Sequence, residues 1–216
     1  MLLEHRQYWD TFYASRVSAD VPVEPSSFAE WVAPQLEAGQ LVAEFGFGNA
    51  RDSLWFALAD HEVMGFDFAH SAVVHATERA SDLGVNATFA ELDLYEEVDV
   101  KAAGESILER GNRPAVYGRF LIHSLEDAGR HHLFDLASRV LVDGGDLFLE
   151  FRTGQDKDAR HVFGEDHYRH YLDPELVSEE IRSRGGRVTH LEAGHGLAPY
   201  KTEDPHVARI VARWTD

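Results

Sequence analysis

The 216-residue chain contains no cysteine. Disulfides and thiolate metal sites are therefore excluded, and a reducing compartment is the natural setting. No stretch approaches the roughly 18 uninterrupted apolar residues that a membrane helix needs. The first ten residues, MLLEHRQYWD, place acids and polar groups where a signal peptide needs an apolar core. The expectation is a soluble cytoplasmic protein with no membrane association. Basic residues are scarce: 20 Lys and Arg face 38 Asp and Glu, for a formal net charge of −18. Such a surface repels phosphate backbones, which argues against nucleic acid as a partner. No Lys/Arg run offsets it, since the densest cluster, IRSRGGR, reads as a solvated helix end. Internal repeats and low-complexity segments are also missing. With 44% hydrophobic residues, the chain can build one sizeable core, alone or with a small cap.

Short β-rich runs alternate with helical runs. Strands are expected at 41–46, 62–68, 86–94, from 115 onward, and at 146–152. Helices are expected between them at 50–60, 69–84, 97–111 and 126–145, from apolar residues at 3.6-residue spacing and from glycine stops. This alternation predicts an α/β fold, a doubly wound Rossmann-like sheet of seven strands, mostly parallel. A helix at 173–186 opens with Asp173 as N-cap and Pro174 in its first turn. Two strands then follow with no helix between them, at 187–194 and 206–214, so the last strand is expected to be antiparallel. Residues 1–40 form an expected helical cap and 41–216 the main domain. The polar, aromatic stretch 153–172 is an expected lid-like insert.

The most informative stretch is LVAEFGFGNARDS, from Leu41 to Ser53. In a doubly wound sheet the first strand-to-helix turn lies at the edge where ligands bind. Gly46 and Gly48 allow a tight turn and a close backbone approach. A dinucleotide fingerprint would add a third glycine at position 51, which is Arg51, so that motif fails. Asp67 lies 19 residues beyond Gly48, at the end of the second predicted strand. A carboxylate there is placed to accept both hydroxyls of a ribose. Asp93 ends the third predicted strand, where it can accept from an exocyclic amine. With Glu44, three strands bring three acids to one edge.

The run EFGFGNARD, the strand-end Asp67 and the LDL at 92–94 resemble the class I S-adenosylmethionine-dependent methyltransferases. The terminal antiparallel pair fits the same resemblance, which spans residues 40–216. It implies S-adenosylmethionine as cofactor. Gly46 and Gly48 would lie against its methionine part, with Glu44 supporting the turn and the amino group. Asn49, Arg51 and Asp52 of the same turn fall within the implied cofactor set. Asp67 would hold the ribose, Phe68 would pack on the adenine, and Asp93 with the Leu94 backbone would read its edge. Aromatics of an N-terminal helix, Tyr8, Trp9 and Tyr13, would close over the cofactor. A sulfonium cation suits such acids and aromatic faces. A nucleoside without phosphate needs neither a third glycine nor basic residues.

Family members that methylate amide or amine groups of bases and proteins often carry an Asn/Asp-Pro-Pro-aromatic sequence after the fourth strand. Here that region reads VYGRFLIHSL. The departure points to a small polar metabolite, with O-methylation ahead of N-methylation. His123, at the same edge, is the candidate general base. Arg119 could pair with the cofactor carboxylate or a substrate acid, or with Glu44 or Glu150. Substrate candidates are Tyr168, Arg169 and His170 in EDHYRHY, and Tyr200, Lys201 and His195 in the last hairpin. The 13 histidines predict no metal site: His131 and His132 face different directions on one helix, and His167 and His170 share only an i, i+3 spacing. The competing readings are a non-catalytic protein that binds the cofactor or its demethylated product, and a nicotinamide or flavin oxidoreductase, which Arg51 disfavours.

Overall fold

The structure, a computed structural model, describes residues 2–14, 24–111, 113–157 and 169–215, without the side chains of 2–6 and 156. Seven helices are named among these residues: α1 (Leu2–Ala14), α2 (Ser27–Val32), α3 (Arg51–Leu58), α4 (His70–Leu83), α5 (Glu97–Arg110), α6 (Asp127–Val140) and α7 (Pro174–Arg182). The strands are β1 (Val42–Phe45), β2 (Val63–Asp67), β3 (Ala87–Glu91), β4 (Ala115–Arg119), β5 (Asp146–Arg152), β6 (Arg187–Gly194) and β7 (Val207–Arg213). They form one sheet in the order β3-β2-β1-β4-β5-β7-β6. The first five strands pair in parallel, and β7 runs antiparallel to both β5 and β6. The doubly wound seven-stranded sheet expected from the alternation is the one observed.

Burial explains why these runs became strands. Every residue of β1 and β2 is buried, as are six of the seven in β5. A parallel sheet covered on both faces needs such continuous apolar runs. On one face, Ile107 of α5, Phe134 of α6 and Ile181 of α7 join the core with Phe45 and Phe66. On the other, Phe28 of α2 and Phe56 of α3 pack with Val42, Tyr117 and Phe148. The alanines of α4 form a third cluster with Phe47 and Leu54, against which Trp9 and Tyr13 of α1 pack.

Two expected boundaries shift. The third strand stops at Glu91, so Asp93 lies in the turn beyond it rather than at the strand end. The acids are also staggered: Glu44 pairs with Gly65, and Asp67 pairs with Glu91. The stretch 1–40 does not behave as one unit, because Phe28, Ala29 and Val32 are buried in the sheet core. α1 lies outside it, docked on α4 where Ser71 donates its backbone N–H and hydroxyl to Asp10. The insert leaves and rejoins the sheet at one place, where Thr153 bridges Leu172.

The chain runs from β1 outward to β3, then crosses back to β4 on the other side of β1. The carboxyl ends of β1 and β4 therefore diverge, and a crevice opens at this switch point.

Candidate functional site

Two adjoining cavities occupy the crevice. The narrower, of ≈ 110 Å³, is walled by Phe66, Phe68, Leu92, Leu94, Tyr95 and Leu125, with Asp67 and Asp93 also lining it. The wider, of ≈ 260 Å³, reaches from Glu44 and the glycine turn to Arg119, His123, Arg152, Arg169 and Tyr200. Trp9, Tyr13, Gly46, Phe120 and Ser124 line both. The first is an apolar slot edged by acids, and the second is polar and rich in arginine.

The glycine turn closes the inner end. Gly46 and Gly48 have φ of +68° and +57°, which disfavours any side chain. A Cβ on Gly48 would fall 2.4 Å from the Tyr13 hydroxyl, and one on Gly46 would fall 2.7 Å from Leu121 Cδ1. Asp67 holds the turn from the next strand. Its Oδ2 accepts the Gly48 N–H at 2.9 Å and its Oδ1 the Ala69 N–H at 3.0 Å. Burial raises the Asp67 pKa, and the backbone N–H donors of Ala69, Gly48 and Phe68 oppose that rise. A carboxylate has about four acceptor positions, so these three donors leave it able to accept more.

Glu44 lies under the turn, buried, and accepts from Ser53 Oγ. Its pKa stands well above the usual carboxylate value, because burial disfavours the charge and Asp52 repels it. Asp52 serves the fold: it accepts from Ser26 N (2.8 Å), Ser26 Oγ (2.6 Å) and Tyr117 Oη (2.8 Å). These bonds fasten the start of α2 to the sheet. Arg51 reaches the same segment and donates to the carbonyls of Glu24 and Pro25. Asn49 accepts the Arg51 N–H through Oδ1, and Arg79 through its carbonyl.

The Glu44 shift has a testable sign. A carboxyl whose folded pKa is raised stabilises the fold below its unfolded pKa, and that contribution is lost as pH rises through the folded value. Asp67 and Glu150 are shifted in the same direction. Glu44→Gln isolates one group and keeps an acceptor for Ser53. The variant should gain stability relative to the parent as pH rises above the ordinary carboxylate range, by about 2–4 °C in unfolding midpoint for each kcal/mol recovered. Parallel pH profiles for the two proteins would show that Glu44 is not the source.

On the opposite wall, β4 ends at Arg119 and turns sharply at Phe120, whose φ of +55° is rare for an aromatic residue. Arg119 donates from Nε to Glu150 Oε1 at 3.0 Å. The Glu150 alternative for its partner is therefore the one observed. Its guanidinium lies 4.4 Å from the Phe120 ring centre, and that of Arg152 lies 5.3 Å from the same ring. His123 follows in a single 3₁₀ turn, Ile122–Ser124, and is buried. Its Nδ1 accepts the Arg152 backbone N–H at 3.3 Å. The neutral ring then carries its proton on Nε2, the arrangement of a donor rather than a base.

The other expected residues are dispersed. Leu94 lines the narrow slot, with its carbonyl held by His132 at 2.7 Å, and Asp93 Oδ1 accepts the Tyr95 N–H. Trp9 and Tyr13 stack at 5.8 Å and face both cavities. Tyr8 is absent from both linings and packs on Trp9 and Phe12. Arg169 and Tyr200 line the wider cavity. His170 is exposed, its N–H bonded to the His123 carbonyl. Lys201 and His195 are exposed and line neither cavity. Tyr168 lies outside the described residues. Among the described residues no group of three or more His, Asp or Glu is arranged to hold a metal, and no helix is long and apolar enough to cross a membrane. Sequence reasoning missed Phe120, whose backbone strain has no local signal. It also missed Arg152, whose only signal was a charge ending the apolar run DLFLEF.

No protein-family model matches the chain, and no curated protein matches it in sequence. Solved structures do match. One is a methyltransferase dependent on S-adenosylmethionine from Anabaena variabilis, with a TM-score of 0.73 at 15% identity, covering 96% of this chain and 92% of that one. A second is the glycopeptide N-methyltransferase MtfA in complex with S-adenosylmethionine, with a TM-score of 0.64 at 16% identity, covering 91% and 90%. The chain has the class I S-adenosylmethionine-dependent methyltransferase fold. This methyltransferase fold is also that of SpnF, described as a [4+2]-cyclase, with a TM-score of 0.69 at 15% identity, covering 97% and 94%.

Proposed function

We propose that this protein is a methyltransferase that uses S-adenosylmethionine to methylate a small polar metabolite, on oxygen in preference to nitrogen. The observation that carries the reading is the pair of joined cavities at the switch point, one an apolar slot edged by acids, the other wide and polar. The residues present fit the cofactor. The slot offers aromatic and aliphatic walls to a purine and the Asp67 carboxylate to a ribose, with no basic residue among the described residues of its lining. The glycine turn packs against Leu121 and Tyr13 at the inner end of the cavities, where a Cβ would clash. The rings of Trp9 and Tyr13 suit a group bearing a sulfonium.

When bound, the cofactor supplies an electrophilic methyl group. The chain's part is to hold and orient. Asp67 fixes the glycine turn and would accept from the ribose, and Arg119 would offer a cation to the carboxylate end. Trp9 and Tyr13 of α1, with Arg169, line the wider cavity and would exclude water. His123, with Nδ1 engaged by Arg152, donates from Nε2 to position the acceptor. As a base it would first have to give up that bond. A cytoplasmic setting is part of this reading, since a chain without cysteine suits a reducing compartment.

A second reading is cofactor binding without methyl transfer, and SpnF, described as a [4+2]-cyclase, is a neighbour not described as a methyltransferase. Calorimetry with S-adenosylmethionine, S-adenosylhomocysteine and NAD tests the cofactor. Tight NAD binding with no response to the sulfonium compound would end the proposal. Turnover to S-adenosylhomocysteine with candidate acceptors separates enzyme from binding protein. His123→Ala should reduce that turnover by about 10²–10⁴-fold if the ring moves a proton. A loss that appears chiefly in KM assigns it to positioning.

A further inference from the structure

Helix α4 begins just beyond Asp67, and its N-cap position is Ala69, whose methyl group offers no oxygen to cap it. The first N–H groups of a helix have no acceptor within it, and a side-chain oxygen at the N-cap normally takes one. Here that oxygen comes from another helix. Asp10 of α1 accepts the Ser71 N–H on Oδ1 at 2.8 Å, as a capping aspartate would. A negative charge also suits this positive end of the α4 dipole. Ser71 gives a second bond, from Oγ to the Asp10 carbonyl at 2.8 Å. The two bonds clasp α1 to the start of α4.

Asp10 stands between Trp9 and Tyr13 in sequence, and both of those rings line both cavities. The rings pack against the cluster that holds Ala69, Ala72 and Ala76. Asp10 itself is absent from both linings. The Tyr13 hydroxyl stands over the glycine turn, where a Cβ on Gly48 would fall 2.4 Å from it. α1 therefore rests on two places, the glycine turn and the start of α4. One carboxylate joins them: Asp67 accepts from Gly48 N–H and from Ala69 N–H. A ribose held on Asp67 would share the support on which α1 sits.

We propose that Asp10 is a positioning residue for the cofactor. Through its clasp on Ser71 it holds Trp9 and Tyr13 in the cavity walls, and so sets how slowly the cofactor and its demethylated product leave. This deepens the methyltransferase reading and rests on it.

The test measures association and dissociation rates of S-adenosylhomocysteine on the immobilised protein. Asp10→Ala should speed dissociation roughly 5-fold, the factor that loss of a helix cap of ordinary strength gives, with little change in association. Asp10→Asn keeps an acceptor for the Ser71 N–H and should restore most of the slow rate. Ser71→Ala loses one of the two bonds and should fall between; these two milder variants carry the test if Asp10→Ala fails to fold. In a Trp9→Ala/Tyr13→Ala background, Asp10→Ala should add nothing further, because the clasp acts through the rings. If S-adenosylhomocysteine does not bind the parent, the methyltransferase reading fails and takes this inference with it. If it binds, and the Asp10 and Ser71 variants release it as the parent does, this inference alone is overturned. The same holds if Asp10→Ala speeds release by an equal factor with the rings removed.

Discussion

Glu150→Ala should destabilise the fold by about 3–5 kcal/mol. Glu150 has no exposed surface and accepts from two arginines at once, Arg119 Nε at 3.0 Å and Arg209 Nε at 2.9 Å. Burial raises its pKa and the two guanidiniums oppose that rise. Removing it leaves two cations, Arg119 on β4 and Arg209 on β7, facing each other across β5 without their shared counter-ion. Arg209 also holds the Leu197 carbonyl at 2.7 Å and lies 5.4 Å from the Phe28 ring centre, so the disturbance extends to α2 and the last hairpin. Thermal unfolding should show a midpoint lower by roughly 6–20 °C, at about 2–4 °C per kcal/mol for a chain of this size. Glu150→Gln keeps the acceptor oxygen and should lose less. A loss below about 1 kcal/mol in the alanine variant would show that solvent reaches the two arginines and replaces the carboxylate.

Asp67→Ala should weaken S-adenosylhomocysteine binding by about 1–3 kcal/mol, roughly 5–150-fold. Two losses combine: the ribose acceptor disappears, and the N–H groups of Gly48 and Ala69 lose their partner. Asp67→Asn separates the two losses. Its one carbonyl oxygen can hold a backbone N–H, while its amide cannot replace the second acceptor. Calorimetry on both variants reads the difference. Unchanged affinity in the alanine variant would confine Asp67 to holding the turn.

The sheet was legible because its strands are buried on both faces. Val42–Phe45 and Leu147–Phe151 are continuous apolar runs, interrupted only by Glu44 and Glu150, and each is followed by a glycine or charged turn. Spacing alone also gave the relation between Gly48 and Asp67, since one helix and one strand fix their separation. The Asp93 boundary was misplaced because ELDLYE keeps an alternating pattern past the point where pairing stops at Glu91. The cap at 1–40 was misdrawn for a different reason. The helix signal of SSFAEWV resembles that of α1, and only packing shows that Phe28 is buried.

The sequence by itself determined the layer order, the glycine turn and the acid that braces it, because these rest on local periodicity and on fixed spacing along one chain. The tertiary structure decided the rest of the site. Asp52 became a clamp on Ser26, 26 residues away, and Arg119 found Glu150 rather than Glu44. His123 was turned so that its Nδ1 faces the Arg152 N–H. The arginines that line the wider cavity come from four separate segments: the start of α3, the ends of β4 and β5, and the close of the insert. Partners of that kind are chosen by which strand ends meet at the switch point, and no spacing within one segment encodes that meeting.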